Sequence, residues 1–250
     1  MIEIEGLVKR FGSHTAVDGL TLTVASGEIF GFLGPNGAGK TTTVKCITGL
    51  LKPTAGRVRV AGFDTATQTL DAKRAMGLVP DEPFVYPKLT GVEYLRFVGE
   101  LYGVPLAAMK PRIPELLEMF ELAPWGGELV ESYSHGMRQK LVLAGILLHD
   151  PKVLVLDEPM VGLDPKSARL VKDIFLTLAE RGTTIFMCTH VLEIAEKLCD
   201  RIGIMIGGKM IACGTVPELE AQAKTRGSDL EGIFLSLTGG AEYSALLRYL

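Results

Sequence analysis

The sequence lacks the features that would place a chain in a bilayer, in a disulfide framework or on nucleic acid. Its longest strongly apolar stretch, Leu141 to Leu148, is far below the roughly 20 residues of a spanning helix, although mean hydropathy is positive at +0.28. Cysteines number only four, Cys46, Cys188, Cys199 and Cys213. None shows Cys-x-x-Cys spacing or joins a compact His/Cys cluster, so a zinc site is excluded and reduced thiols are expected. Lys and Arg total 26 against 29 Asp and Glu, a net charge of −3. No basic run is long enough to follow a phosphate backbone, and nucleic acid is not an expected partner. The opening Met1-Ile2-Glu3-Ile4-Glu5 has neither the positive start nor the apolar core of a secretory signal, so a cytoplasmic chain is expected. There is no repeat and no low-complexity segment.

What is present is 250 residues with 47% apolar content, enough to bury a substantial core. Alternating apolar and polar residues predict half-buried strands over Ile2–Val8 and Leu20–Val24, with turn chemistry at Gly12-Ser13. Glu28–Leu33 reads as a short apolar strand running into a glycine-rich loop, and Thr42–Leu51 reads as a helix ending at Lys52-Pro53. From Asp81 to Leu148 the periodicity becomes helical. Val92, Leu95, Val98, Leu101 and Tyr102 fall on one face, and Leu116, Leu117 and Phe120 on another. Strands Val153–Leu156 and Thr184–Cys188 flanking a helix near Ser167–Leu178 make a βαβ unit, hence a parallel sheet. Ile202–Ile206 and Lys209–Ala212 form a hairpin through Gly207-Gly208. A polar, partly helical tail containing Gly239-Gly240 follows Val216.

Three segments carry chemistry. Gly34-Pro35-Asn36-Gly37-Ala38-Gly39-Lys40-Thr41 between strand and helix fits a phosphate-binding loop. In such a loop backbone N–H groups and the helix N-terminus, here reaching Thr42, surround the β- and γ-phosphates. Lys40 would neutralise phosphate charge and Thr41 would ligate Mg²⁺. Val153–Leu156 runs into Asp157-Glu158-Pro159, which places two carboxylates at the C-terminal end of a buried strand, where open α/β sheets bind ligands. Asp157 suits a magnesium shell, and Glu158 suits proton abstraction from an attacking water. His190 follows another apolar strand. If the strands run parallel it shares one edge with Asp157 and the loop, where an imidazole can bond the γ-phosphate or orient the carboxylate. His14, His135 and His149 lack that argument. Ser134 can also cap the apolar helix that begins after it, leaving the next amides pointing outward.

Together these motifs resemble the ATP-binding cassette family, and the match runs from about residue 2 to residue 215. The resemblance implies an α/β P-loop NTPase fold with a mixed sheet core, an antiparallel β edge and an inserted helical subdomain. It divides the chain into a catalytic core (1–80 and 149–215), a helical lobe (81–148) and a C-terminal tail (216–250). It implies an ATPase that uses ATP and Mg²⁺ and energises transport. Phe11 would stack on adenine beside Val17, Ser134-His135-Gly136-Met137 would be the signature loop, Asp164 would belong to a loop crossing a dimer interface, and His190 would be the switch histidine. Family members work as head-to-tail pairs, so a homodimer or paired cassette is expected in the ATP-bound state. A separate integral membrane permease is the expected partner, with the chain peripheral on the inner face of the cell membrane.

Two positions depart from the family pattern. Asp81, in Val79-Pro80-Asp81-Glu82, stands where glutamine is usual and is expected to keep a metal-sensing role. The usual Leu-Ser-Gly-Gly-Gln becomes Tyr133-Ser134-His135-Gly136-Met137, which adds an imidazole and removes an amide. Both variants, and Ile233–Thr238, are similar to exporter-type cassettes of the ABC-2 class. The alternatives are a soluble nucleotide-gated switch acting on a ribosome, DNA or an assembly complex, and a module that binds ATP without turning it over. The absence of a basic face and of a long coiled-coil insertion argues against the first. Lys40, Asp157, Glu158 and His190 together argue against the second.

Overall fold

The structure is a computed structural model and describes residues 1–225 and 227–238. Gly239-Gly240 and the last ten residues, read above as part of the tail, lie outside the described residues. Strands β1 (Ile2–Phe11) and β2 (His14–Val24) both run further than simple alternation indicated. β3 (Ile29–Leu33) leads into the phosphate loop and α1 (Lys40–Ile47) leaves it. α1 stops before Leu51 because the chain turns, and the amides of Leu50 and Leu51 both donate to the Lys45 carbonyl. The stretch after Pro53 holds four elements that the sequence reading did not assign. These are β4 (Ala55–Val60), β5 (Phe63–Asp64), α2 (Thr69–Arg74) and β6 (Met76–Val79).

Three helices follow: α3 (Gly91–Leu101), α4 (Leu106–Met119) and α5 (His135–Leu148). Thr90 and Glu93 cap the first reciprocally. Leu95, Leu116, Leu117 and Phe120 are buried as expected, but Leu101 is 70% exposed and Tyr94 takes its place in the core. The chain then runs β7 (Val153–Asp157), α6 (Pro165–Glu180), β8 (Thr184–Cys188), α7 (Leu192–Leu198), β9 (Arg201–Ile206) and β10 (Lys209–Gly214). It closes with α8 (Val216–Ala223) and α9 (Leu230–Thr238). Gly207 and Gly208 both take positive φ, 53° and 83°, as a two-residue hairpin turn of matching twist requires.

Two sheets result. The smaller is antiparallel, ordered β2-β1-β4-β5, and the larger is ordered β10-β9-β3-β8-β7-β6. In the larger sheet β9, β3, β8, β7 and β6 run parallel, and only β10 is antiparallel. β3, β7 and β8 are buried throughout, which explains their continuous apolar runs: both faces are covered. Successive residues of β8 alternate between two cores. Phe186 packs against Phe30 and Phe32, with centroids 5.8 and 5.2 Å away, under the antiparallel sheet. Ile185 and Met187 point to the other face, into the cluster that holds α5 and α6. The described part of the tail is not merely polar. Leu219, Leu230 and Ile233 are fully buried against Leu33, Ile202 and Ile204, so α8 and α9 share the core of the sheet. Among the described residues no helix is long and apolar enough to cross a membrane.

Candidate active site

Because β3, β8 and β7 are parallel neighbours, the loop after β3, the carboxylates after β7 and the histidine after β8 leave the sheet at one edge. The phosphate loop and the start of α1 line a concavity of about 300 Å³ together with Phe11, His14 and Ala16. Asn36, Gly37, Ala38, Gly39, Lys40, Thr41 and Thr42 all contribute to its wall. Gly39 precedes α1 with φ 108°, and a Cβ there would collide with the Ala16 carbonyl, so only glycine fits. Gly34 is hemmed in likewise by the backbone of Met205. Lys40 Nζ folds back over the loop and donates to the carbonyls of Gly34 and Pro35, the latter at 3.2 Å.

Asp157 closes β7 and is 9% exposed. Burial pushes its carboxyl above the ordinary range. Asp81 and Glu158 push in the same direction, against the pull of Lys40 and Thr41. That crowding of carboxylates around a threonine hydroxyl is chemistry that a divalent cation relieves. Among the described residues no three His, Cys, Asp or Glu side chains form a cage by themselves. Magnesium suits such a place, since it is commonly held by one or two carboxylates together with substrate phosphates and water.

Glu158 has a left-handed backbone, φ 50°, which a residue with a Cβ adopts only under constraint. Its N–H donates to the Cys188 carbonyl at 2.9 Å. Its Oε1 lies 2.7 Å from His190 Nδ1, and its Oε2 accepts from the Thr189 hydroxyl at 3.0 Å. The carboxylate is therefore held from two sides at the sheet edge, and His190 is in contact with it as well as open to solvent. Thr189 was not singled out by the sequence. A lone threonine after a buried strand carries no pattern, and its role is visible only through its partner.

Other expected residues stand elsewhere. Val17 is fully buried in the core between the sheets and does not line the concavity. Lys9 pairs with Val17 and Arg10 with Thr15, so Ala16 is an extra residue, a β-bulge that shifts the phase of the strand. Ala16 and His14 line the wall in place of Val17. Asp164 has its carboxylate engaged within the chain: it caps α6 by accepting from the amides of Lys166 and Ser167 and from the Ser167 hydroxyl. Ser134 caps α5 through the Met137 amide at 3.3 Å. Ser134, His135, Gly136 and Met137 are absent from the wall of the phosphate-loop concavity, so one chain does not bring the two sets together. His135 instead lies over the backbone of Gly162.

Comparison with known proteins agrees with this geometry. Residues 17–161 match the ABC transporter family. The linearmycin resistance ATP-binding protein LnrL of Bacillus subtilis is 40% identical over 219 residues, spanning 88% of this chain and 70% of the relative. The daunorubicin resistance ATP-binding protein DrrA3 of Streptomyces coeruleorubidus is 42% identical over 221 residues, with the same coverage of 88% and 70%. A solved ATP-binding subunit of an ABC transporter superposes with a TM-score of 0.91 at 31% identity, covering 95% of this chain and 99% of that one. A dimeric cassette bound to ADP and Pi, 24% identical with a TM-score of 0.79 over 86% of this chain and 99% of its own, shares the fold. With a phosphate loop, a buried aspartate and a clamped glutamate on one sheet edge, the chain belongs to the ABC transporter family as an ATP-binding subunit that hydrolyses ATP to drive transport.

Proposed function

We propose that this chain is the ATPase of an ABC-2 type exporter, acting as a Mg²⁺-dependent homodimer beneath a separate membrane permease on the cytoplasmic face of the membrane. The observation that carries the reading is the split of the site. The loop through Thr42, Asp157, Glu158 and His190 leave one edge of the larger sheet and Phe11 of the smaller sheet lines the loop's concavity, while Ser134–Met137 begin a helix outside that concavity. A head-to-tail pair supplies each set with the other. The resistance and export functions in the names of the relatives favour an exporter.

In the reaction, Phe11 stacks on the base, and amides of the loop and of the α1 N-terminus receive the phosphates. Lys40 exchanges its two loop carbonyls for phosphate oxygens. Thr41 and Asp157 would hold Mg²⁺, with Asp81 behind them, and the ion would offset phosphate charge. Glu158 accepts a proton from water as the water oxygen bonds the γ-phosphorus and ADP leaves. Thr189 and His190 keep the carboxylate aimed, and the exposed side of His190 is free to meet the γ-phosphate. The signature residues of the partner close the site, where His135 brings an imidazole in place of the usual glycine.

The test is purification of the tagged chain from its native cells in mild detergent. A polytopic membrane protein in near-equal amount is expected. Recovery with ribosomes or DNA, or of the chain alone, would overturn the transporter-subunit reading and favour a soluble switch.

A further inference from the structure

One face of α5 touches the segment that leaves β7 at two places and the first turn of α6 at a third. Gly136 approaches the Gly162 carbonyl so closely that a Cβ would lie 2.9 Å from it. Gln139 Nε2 donates to the Pro159 carbonyl at 3.3 Å, and Lys140 Nζ reaches the Ser167 hydroxyl at 3.4 Å. Positions 136, 139 and 140 are spaced i, i+3, i+4, which places them on one side of the helix. The segment they brace carries Glu158 at one end and the α6 cap, Asp164, at the other.

Gln139 differs from its two neighbours. Although it lies between Arg138 and Lys140 in the chain, it is only 1% exposed, and among the described residues its Oε1 has no hydrogen-bond partner. A buried amide with one unsatisfied acceptor is unfavourable compared with an apolar residue of the same shape. Packing alone would be better served by leucine or methionine. Among the described residues, the one bond the amide makes is to the residue directly after Glu158, whose left-handed backbone must be held against its intrinsic preference.

We infer that Gln139 is a positioning residue for ATP hydrolysis: by holding the Pro159 carbonyl it fixes the backbone of Glu158, and it links the helix behind the signature loop to the general base of the same chain. The inference rests on Glu158 being that base. Ser134 at the start of the same helix is expected to face the partner's nucleotide, so the strut gives each Glu158 a mechanical connection to the other site. A shift of the Glu158 carboxylate by a fraction of an ångström spoils its aim at water without touching any group that binds ATP.

The test compares full-length wild type with Gln139→Met, which keeps the volume and removes both the donor and the unpartnered acceptor. Steady-state hydrolysis should show kcat lowered about tenfold or more with KM for ATP within about twofold, and a thermal midpoint equal to or above wild type. A kcat within twofold of wild type, or a matched loss of ATP binding, would overturn the inference. Gln139→Asn, which retains the amide on a shorter stem, provides a second reading and should fall between the two if the bond matters. In a Glu158→Gln background Gln139→Met should cause no further loss of single-turnover rate, because the two act through one group. Additive losses would place the action of Gln139 elsewhere. Undiminished turnover in Glu158→Gln itself would remove the assignment of the base, separately from any result at Gln139.

Discussion

A single bulge decides which residues of β2 line the phosphate-loop concavity. The family resemblance puts Val17 beside the base. The extra residue at Ala16 turns Val17 into the core and presents Ala16 and His14 beside Phe11, which is 48% exposed. Phe11→Ala is therefore expected to weaken ATP binding roughly tenfold through lost stacking. It should leave the urea midpoint nearly unchanged, since the ring contributes little to the core. Val17→Ala should do the reverse, costing roughly 2 kcal/mol of stability with little change in affinity. Nucleotide titration alongside urea denaturation separates them, and a loss of ATP affinity in Val17→Ala equal to that in Phe11→Ala would contradict the bulge. The phosphate loop, Asp157 and Glu158 were legible because their chemistry is written in contiguous spacing. Thr189 and Gln139 were not, because each has meaning only through one tertiary bond to the Glu158 segment.

The helices were legible where an amphipathic stripe was long, and illegible where a partner decides the face. α3 presents Tyr94 and Leu95 inward and packs Gly99 against Met109 and Leu148, while Leu101 in the same last turn is released to solvent. β6 is four residues long and lacks alternation, so nothing in it separates strand from loop until β7 is beside it. At the ends of α3 and α5, Tyr102 and His149 stack with centroids 3.7 Å apart and planes 6° from parallel. Among the described residues neither ring nitrogen of His149 has a hydrogen-bond partner in another residue. Burial pushes its pKa down from 6.5 to about 4, with its own backbone and Asp150 opposing only in part. The folded chain then refuses a proton that the unfolded chain accepts between these values. The contribution of this residue is complete above pH 6.5 and is lost as pH falls towards 4. Unfolding free energy should drop by roughly 2–3 kcal/mol across that window from this residue alone. His149→Phe, which keeps the stack, should flatten that part of the curve in urea titrations at pH 7 and pH 5. An unchanged slope would mean that the ring is solvated.

Across the whole molecule, the proposed head-to-tail pairing makes activity a property of pairs, because the phosphate loop of one chain would need the signature helix of the other. A chain carrying Lys40→Met keeps a sound signature, and one carrying Ser134→Arg keeps a sound phosphate loop. Each alone should be inactive, whereas mixing them in equal amounts should restore about a quarter of wild-type hydrolysis if pairing is random and the sites act independently. No recovery on mixing would count against head-to-tail pairing. The helical character of the stretch holding α3, α4 and α5 was readable from periodicity, whereas β4, β5, α2 and β6 were not. The docking of α8 and α9 was not, since Leu219, Leu230 and Ile233 are sparse in sequence and converge only on Leu33, Ile202 and Ile204. The placement of the helical lobe also has a topological consequence. β6 and β7 are adjacent and parallel, so some covering connection of a dozen or so residues must carry the chain from the end of one to the start of the other. The lobe is that crossover enlarged, and α5, with Ile146 against Gly77 of β6, is the part that performs it. Loops and turns ahead of α5 can thus lengthen or shorten without breaking that connection. The helix bearing the signature is anchored by the architecture of the sheet itself.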